Sequence, residues 1–171
     1  TLVGATPGID TIMYRVVNFC GTDSSVRSVT VRAYPDAGKI TGASTLCVGQ
    51  TIRLTDTSKG GVWKSTARNT IIRDSLLVIG KTPGPDTITY RITNICASDT
   101  AFWPITINPL PAIPIVTRSG NELSVPFGYT SYQWLRNSDA IPDATTRYWM
   151  VDSLANYYAV VTNDFGCSIS S

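Results

Sequence analysis

The chain has 171 residues, a formal net charge of +2, 15% charged side chains and no histidine. With no His and Glu122 as its single Glu, it lacks the usual general base and a carboxylate pair suited to hydrolysis. No run of Lys or Arg offers a nucleic-acid footprint, and no stretch approaches the roughly 20 apolar residues that span a bilayer, so neither nucleic acid nor membrane insertion is expected.

Thr, Ser, Val, Ile and Tyr dominate, and Gly and Pro fall between apolar runs, as strands separated by turns require. Residues 6–35 (TPGIDTIMYRVVNFCGTDSSVRSVTVRAYP) match residues 82–111 (TPGPDTITYRITNICASDTAFWPITINPLP) at an offset of 76, with thirteen of 30 positions identical. Gly8/Gly84, Asp10/Asp86, Tyr14/Tyr90, Asn18/Asn94, Cys20/Cys96 and Pro35/Pro111 are among them, which marks a repeated module. Residues 1–35 hold the last two strands of one such module. Two strands bury no core alone, so sequence outside this stretch or another chain is expected to complete them.

Residues 36–111 hold a whole module. Thr51 to Thr55 alternates as a strand, Gly60-Gly61 introduces a third strand at Val62-Trp63 with an aromatic core anchor, and residues 70–79 supply at least one more. Ile88, Tyr90 and Ile92 then face one way while Thr87, Thr89, Arg91 and Thr93 face the other. Asn94 to Ser98 close a hairpin, and Thr100 to Asn108 return to the joint Pro109-Leu110-Pro111. Trp103 stands opposite Arg27 in the repeat, so it is expected to face outward, against a neighbouring module.

Residues 112–171 form a divergent unit: SYQWL at 131–135, a polar turn Arg136-Asn137-Ser138-Asp139, YWMV at 148–151 and NYYAVVTNDFGCS at 156–168. Trp134 and the approach Asp152 to Tyr158 are similar to the core Trp and tyrosine corner of immunoglobulin-like sandwiches. The phrases ITGASTLCVGQTIRLT, YRITNICASDT, INPLP, SYQWLRNSDAIPDATTRYWMV and VVTNDFGCS resemble the tandem immunoglobulin-like or PKD-like repeats of large Bacteroidetes surface proteins of the adhesin type. The resemblance implies tandem antiparallel β-sandwiches, all-β, in a long exported chain often sent out by the type IX system. Such repeats occur in adhesins, filaments and the spacers of secreted enzymes.

The four cysteines contain no Cys-x-x-Cys pair, so disulfides in an oxidising compartment are expected rather than zinc. One reading pairs Cys47 with Cys96 inside the complete module. The other starts from topology: the turn carrying Cys47 and the hairpin carrying Cys96 lie at opposite ends of a sandwich, too far apart for the ~4.4–6.8 Å a disulfide tolerates between Cα atoms. In an end-to-end array Cys47 instead meets Cys167 of the next module, and Cys96 and Cys20 find partners upstream of Thr1. Both pairings stand at this point.

Five Asp-Ser/Thr-apolar triplets, with hydroxyls at Thr11, Ser75, Thr87, Thr100 and Ser153, resemble the O-glycosylation signature of Bacteroidetes exported proteins; they equally suit turn exits. Asp10 and Asp86 could ligate calcium, but no Asp-x-Asp cluster accompanies them, so no metal and no cofactor is expected. Trp149 and Tyr158 are the candidate contacts to a glycan. The expected function is a non-catalytic stalk, filament or adhesive segment on a cell surface, with neighbouring modules of the same or an identical chain, and surface glycans or proteins, as partners. The alternative is a carbohydrate-binding or spacer module of a secreted hydrolase.

Overall fold

The computed structural model describes residues 1–74 and 76–171, and among them there is no helix long and apolar enough to cross a membrane. The period-two alternation yields strands throughout. The first two, β1 (Gly8–Asn18) and β2 (Gly21–Val31), form a hairpin with Gly8 opposite Val31 and Asn18 opposite Gly21.

The next eight strands are β3 (Ile40–Gly42), β4 (Thr45–Cys47), β5 (Thr51–Asp56), β6 (Val62–Ser65), β7 (Thr70–Arg73), β8 (Leu77–Gly80), β9 (Gly84–Thr93) and β10 (Ser98–Asn108). They build two facing sheets, β3-β5-β8-β7 and β4-β10-β9-β6. This is the A-B-E-D and C-F-G pairing of an immunoglobulin-like sandwich. Its first strand is split: β3 stays with β5, while β4 crosses to the other sheet and runs parallel to β10, with Cys47 opposite Asn108.

Apolar side chains of both sheets meet between them. Leu54, Val78, Ile88 and Ile107 are fully buried there, and Ile40, Leu46 and Ile105 complete the cluster. Tyr90 points inward from β9. Its ring packs on Trp63 at 4.6 Å between centroids, and its hydroxyl donates to Ser58 O (3.1 Å) while accepting from Gly61 N (2.8 Å). Gly61 is required here, because a Cβ would lie 2.5 Å from the Tyr90 ring. Trp103 departs from expectation. It lies two residues from Ile105 on the same face of β10, packs against the core and donates from Nε1 to Ala43 O at 3.2 Å. The comparison with Arg27 misleads because β2 carries no covering sheet.

The remaining strands are β11 (Thr117–Ser119), β12 (Glu122–Ser124), β13 (Ser131–Arg136), β14 (Asp139–Ala140), β15 (Tyr148–Met150), β16 (Tyr157–Thr162) and β17 (Ser168–Ser170). They form sheets β11-β12-β15 and β14-β13-β16-β17, a second immunoglobulin-like sandwich that keeps A-B-E and C-F-G and adds a short strand beside C. Trp134 on β13 is its fully buried centre, donating from Nε1 to Thr146 O at 3.0 Å. Tyr157 forms the tyrosine corner, with its hydroxyl on Asp152 Oδ1 (2.7 Å) and Ser153 O (3.3 Å). The bond from the Tyr157 hydroxyl is the main cause of the lowered Asp152 pKa.

Among the described residues, Asp86 is the one buried acid of the first sandwich core. Burial pushes its pKa up, but hydrogen bonds from Ser65 Oγ (2.7 Å), Ala67 N (2.9 Å), Thr70 Oγ1 (3.0 Å) and Thr87 N (2.7 Å) outweigh it, leaving the pKa below its usual value. A carboxyl with a depressed folded-state pKa contributes stability that is present above its unfolded value of about 3.9 and is lost as pH falls through the folded value. Asp86→Asn is expected to lower unfolding free energy near pH 7 by roughly 1–3 kcal/mol. In denaturant titrations from pH 7 to pH 2, the gap to wild type should narrow once the pH drops below about 4; a gap constant with pH would refute this role.

Candidate functional site

The feature that sets this chain apart from an ordinary sandwich lies where the two modules meet. The hairpin between β16 and β17 is organised by Asn163, whose Oδ1 accepts from Phe165 N (3.1 Å) and Cys167 N (3.0 Å). Its Nδ2 reaches back to donate to Pro109 O (2.9 Å), the carbonyl that ends the first sandwich. Gly166 at φ +76° lets the hairpin close, and Cys167 ends up buried with its sulfur turned toward the first sandwich. On that side β4 ends in a turn in which Gln50 N donates to Cys47 O (3.0 Å) and Gln50 Oε1 accepts from Cys47 N (2.9 Å). Gly49 sits at the third turn position with φ +80°, a geometry that disfavours a side chain. Val48 N donates to Asn108 O (3.0 Å), which fixes the turn against the end of β10.

Between these two turns runs the Cys47–Cys167 disulfide, with Cα atoms 5.7 Å apart and a sequence separation of 120. It joins one sandwich to the next. The Cys47–Cys96 pairing is corrected by the same geometry: Cys96 lies in the hairpin joining β9 and β10, at the end of the sandwich away from Cys47, and is free and exposed. Cys20, at the tip of the β1–β2 hairpin, is also free and exposed.

The joint is built twice. In the β9–β10 hairpin Asn94 Oδ1 accepts from Cys96 N (2.8 Å) and Ala97 N (3.1 Å), and its Nδ2 donates to Ala33 O (2.9 Å) at the end of β2. Asp99 Oδ2 accepts from Ala37 N (2.8 Å), tying the linker to β10, and this bond with that from Thr100 N holds the Asp99 pKa down. Asn18 organises the third hairpin in the same way, accepting from Cys20 N and Gly21 N. In the sequence Asn18 and Asn94 stand out only as identical positions of the repeat. Asn163 does not stand out, because the last hairpin is longer, with the Asn four residues before the Cys instead of two.

The other candidates do not converge on a site. Thr11 and Ser153 are exposed and Thr87 and Thr100 half-buried, while Ser75 lies outside the described residues. Ser153 is already bonded to Asp152 Oδ1 (3.0 Å). Trp149 is corrected from a surface contact to a core residue: its ring packs against the second core and its Nε1 is buried. Tyr158 is exposed, on the rim of a cleft of about 310 Å³ that also involves Arg118, Leu154 and Asn156. Among the described residues no group of three or more acidic, His or Cys side chains converges to hold a metal.

No family model matches the chain, and no curated protein sequence does so. Among solved structures, the chain is similar to three consecutive domains of titin at 17% identity, over 94% of this chain and 71% of that one, with a TM-score of 0.37. A three-immunoglobulin-domain structure of titin gives 12% identity over 95% of this chain and 72% of that one, with a TM-score of 0.39. An endo-fucoidan hydrolase of glycoside hydrolase family 107 gives 12% identity over 98% of this chain but 33% of that one, with a TM-score of 0.25. The chain is an all-β array of immunoglobulin-like sandwiches, a fold class that its own strand order defines.

The joint has a measurable role. With Cys47→Ser and Cys167→Ser together, both sandwiches should keep their far-UV and near-UV circular dichroism, since each retains its own core. The distance distribution between spin labels on exposed sites of the two sandwiches should broaden. An unchanged distribution would show that the Asn163 and linker contacts alone set the joint.

Proposed function

We propose that this chain is a segment of a tension-carrying stalk or filament of repeated immunoglobulin-like modules on a bacterial surface. Secretion, an adhesive task, and membership of the Bacteroidetes type IX cargo class belong to the same reading. The observation that carries it is the disulfide between the two modules, which sets the path that a pulling force would take. Load entering through the linker before β3 reaches Cys47, crosses the disulfide to Cys167 and leaves along β17. The intervening strands, β5 to β16, are shielded from extension. A disulfide of this kind forms in oxidising compartments, which supports an exported location.

Single-molecule pulling on residues 1 and 171 reads this directly. At roughly 3.3–3.6 Å per extended residue, a stretch of 120 residues is worth about 400 Å of contour length. Oxidised chains are expected to withhold that length and to release it only after reductant is added. Equal release in both conditions would remove the tension-carrying role.

A carbohydrate-binding role is the second reading, favoured by the cleft beside Tyr158. Under the stalk reading, polysaccharide pull-down by the chain stays at background with or without Tyr158→Ala. Retention that Tyr158→Ala abolishes would favour the second reading.

A further inference from the structure

The β1–β2 hairpin is a copy of β9–β10 without its cover. The registers coincide, Gly8 opposite Val31 as Gly84 is opposite Ile107, and Tyr14 opposite Ser25 as Tyr90 is opposite Ala101. Yet Tyr90 is 3% exposed under the β3-β5-β8-β7 sheet and Tyr14 is 69% exposed. Asp10, equivalent to the buried Asp86, is likewise exposed.

Leu2-Val3-Gly4 aligns with Val78-Ile79-Gly80 of β8 at the same offset of 76. In the complete sandwich a Cβ at Gly80 would fall 2.7 Å from Cys47 O and 3.0 Å from Ile107 Cγ2, so that glycine makes room for the cysteine-bearing turn. A Cβ at Gly4 would fall 2.8 Å from Cγ1 of Val31, the equivalent of Ile107, and a hollow of about 300 Å³ lined by Val3, Gly4, Pro7, Ile9 and Val31 opens at that contact. Half of the Gly80 environment is thus reproduced, and the hollow leaves the other half open. Cys96 completes the correspondence. Its hairpin grips Ala33 O through Asn94 as the Cys167 hairpin grips Pro109 O through Asn163, and its thiol is free.

We propose that the open face of β1–β2 is covered by a β3-β5-β8-β7-type sheet of the same polypeptide, N-terminal to residue 1, and that this sheet brings a cysteine opposite Arg32 that closes a disulfide with Cys96. The source is the same polypeptide because Leu2-Val3-Gly4 and Thr6-Pro7-Gly8 repeat the strand end and connector through which β8 leads into β9. The bond forms as each thiol gives up one proton and one electron to a dithiol–disulfide oxidant, such as oxidised glutathione or a thiol oxidoreductase, which is reduced to two thiols. The inference rests on the array reading, but its test reads covering and cross-linking rather than force.

Residues 36–77 of this chain, grafted directly before Leu2, supply the covering sheet and a copy of Cys47. The 1–171 chain is expected to titrate two free thiols, Cys20 and Cys96, and the grafted chain one fewer. A non-reducing peptide map of the grafted chain should show Cys96 linked to the grafted cysteine, and amide exchange across Ile12 to Val16 should slow about 100-fold. Cys47→Ser in the grafted copy should restore the Cys96 thiol and keep the amide protection. Fast amides in the graft overturn the covering, and a free Cys96 beside protected amides overturns the cross-link. On the native polypeptide the map decides independently of the graft: Cys96 linked to a peptide preceding residue 1 supports the inference, while Cys96 recovered as a free thiol or linked to Cys20 of another copy overturns it.

Discussion

Everything at the joints depends on the length of one antiparallel pair. β10 runs for eleven residues from the hairpin that carries Cys96 to Asn108, where it meets Cys47. At ~3.4 Å per residue this strand spans the whole sandwich. The cysteine-bearing turn and the cysteine-bearing hairpin of one module therefore cannot touch. Each is presented to a different neighbour, and a bond that would be an internal staple in a shorter fold becomes a coupling between folds.

The coupling is polar before it is covalent. In each hairpin one asparagine satisfies two backbone N–H groups inside the turn, and at both joints it spends its amide on the carbonyl that ends the preceding module. Such side-chain caps hold short turns open in a defined shape. Together with linkers such as Pro109-Leu110-Pro111, whose proline φ angles are restricted, they limit the ways two sandwiches can be oriented before sulfur chemistry occurs.

Much of this was legible in the residues. The repeat exposed β9 and β10 because their inward positions recur at one offset, and Trp134 with the approach Asp152 to Tyr158 marked the second core. Strand order offered the end-to-end pairing of Cys47 with Cys167 as one of two readings, beside Cys47 with Cys96, and the disulfide decides between them. Other features were hidden for identifiable reasons. The crossing of β4 to the opposite sheet depends on a break at Ala43-Ser44 that no periodicity marks. Trp103 was read from a counterpart, Arg27, that has no core to face. Trp149 alternates with exposed Tyr148 and Met150, and three residues are too few to say which face is inward. The Asp86 network draws Ser65, Ala67 and Thr70 from three-dimensional neighbours that sequence distance conceals.

The placement of Cys47 and Cys167 near the two limits of the paired sandwiches also bears on resistance to proteolysis. Exposed segments such as Lys59-Gly60 and Arg136-Asn137 are the sort of surface that proteases cut. Both fall between the two cysteines, so a single nick at either leaves the fragments joined through sulfur as well as through their shared sheets. A chain wired in this way can be clipped without coming apart.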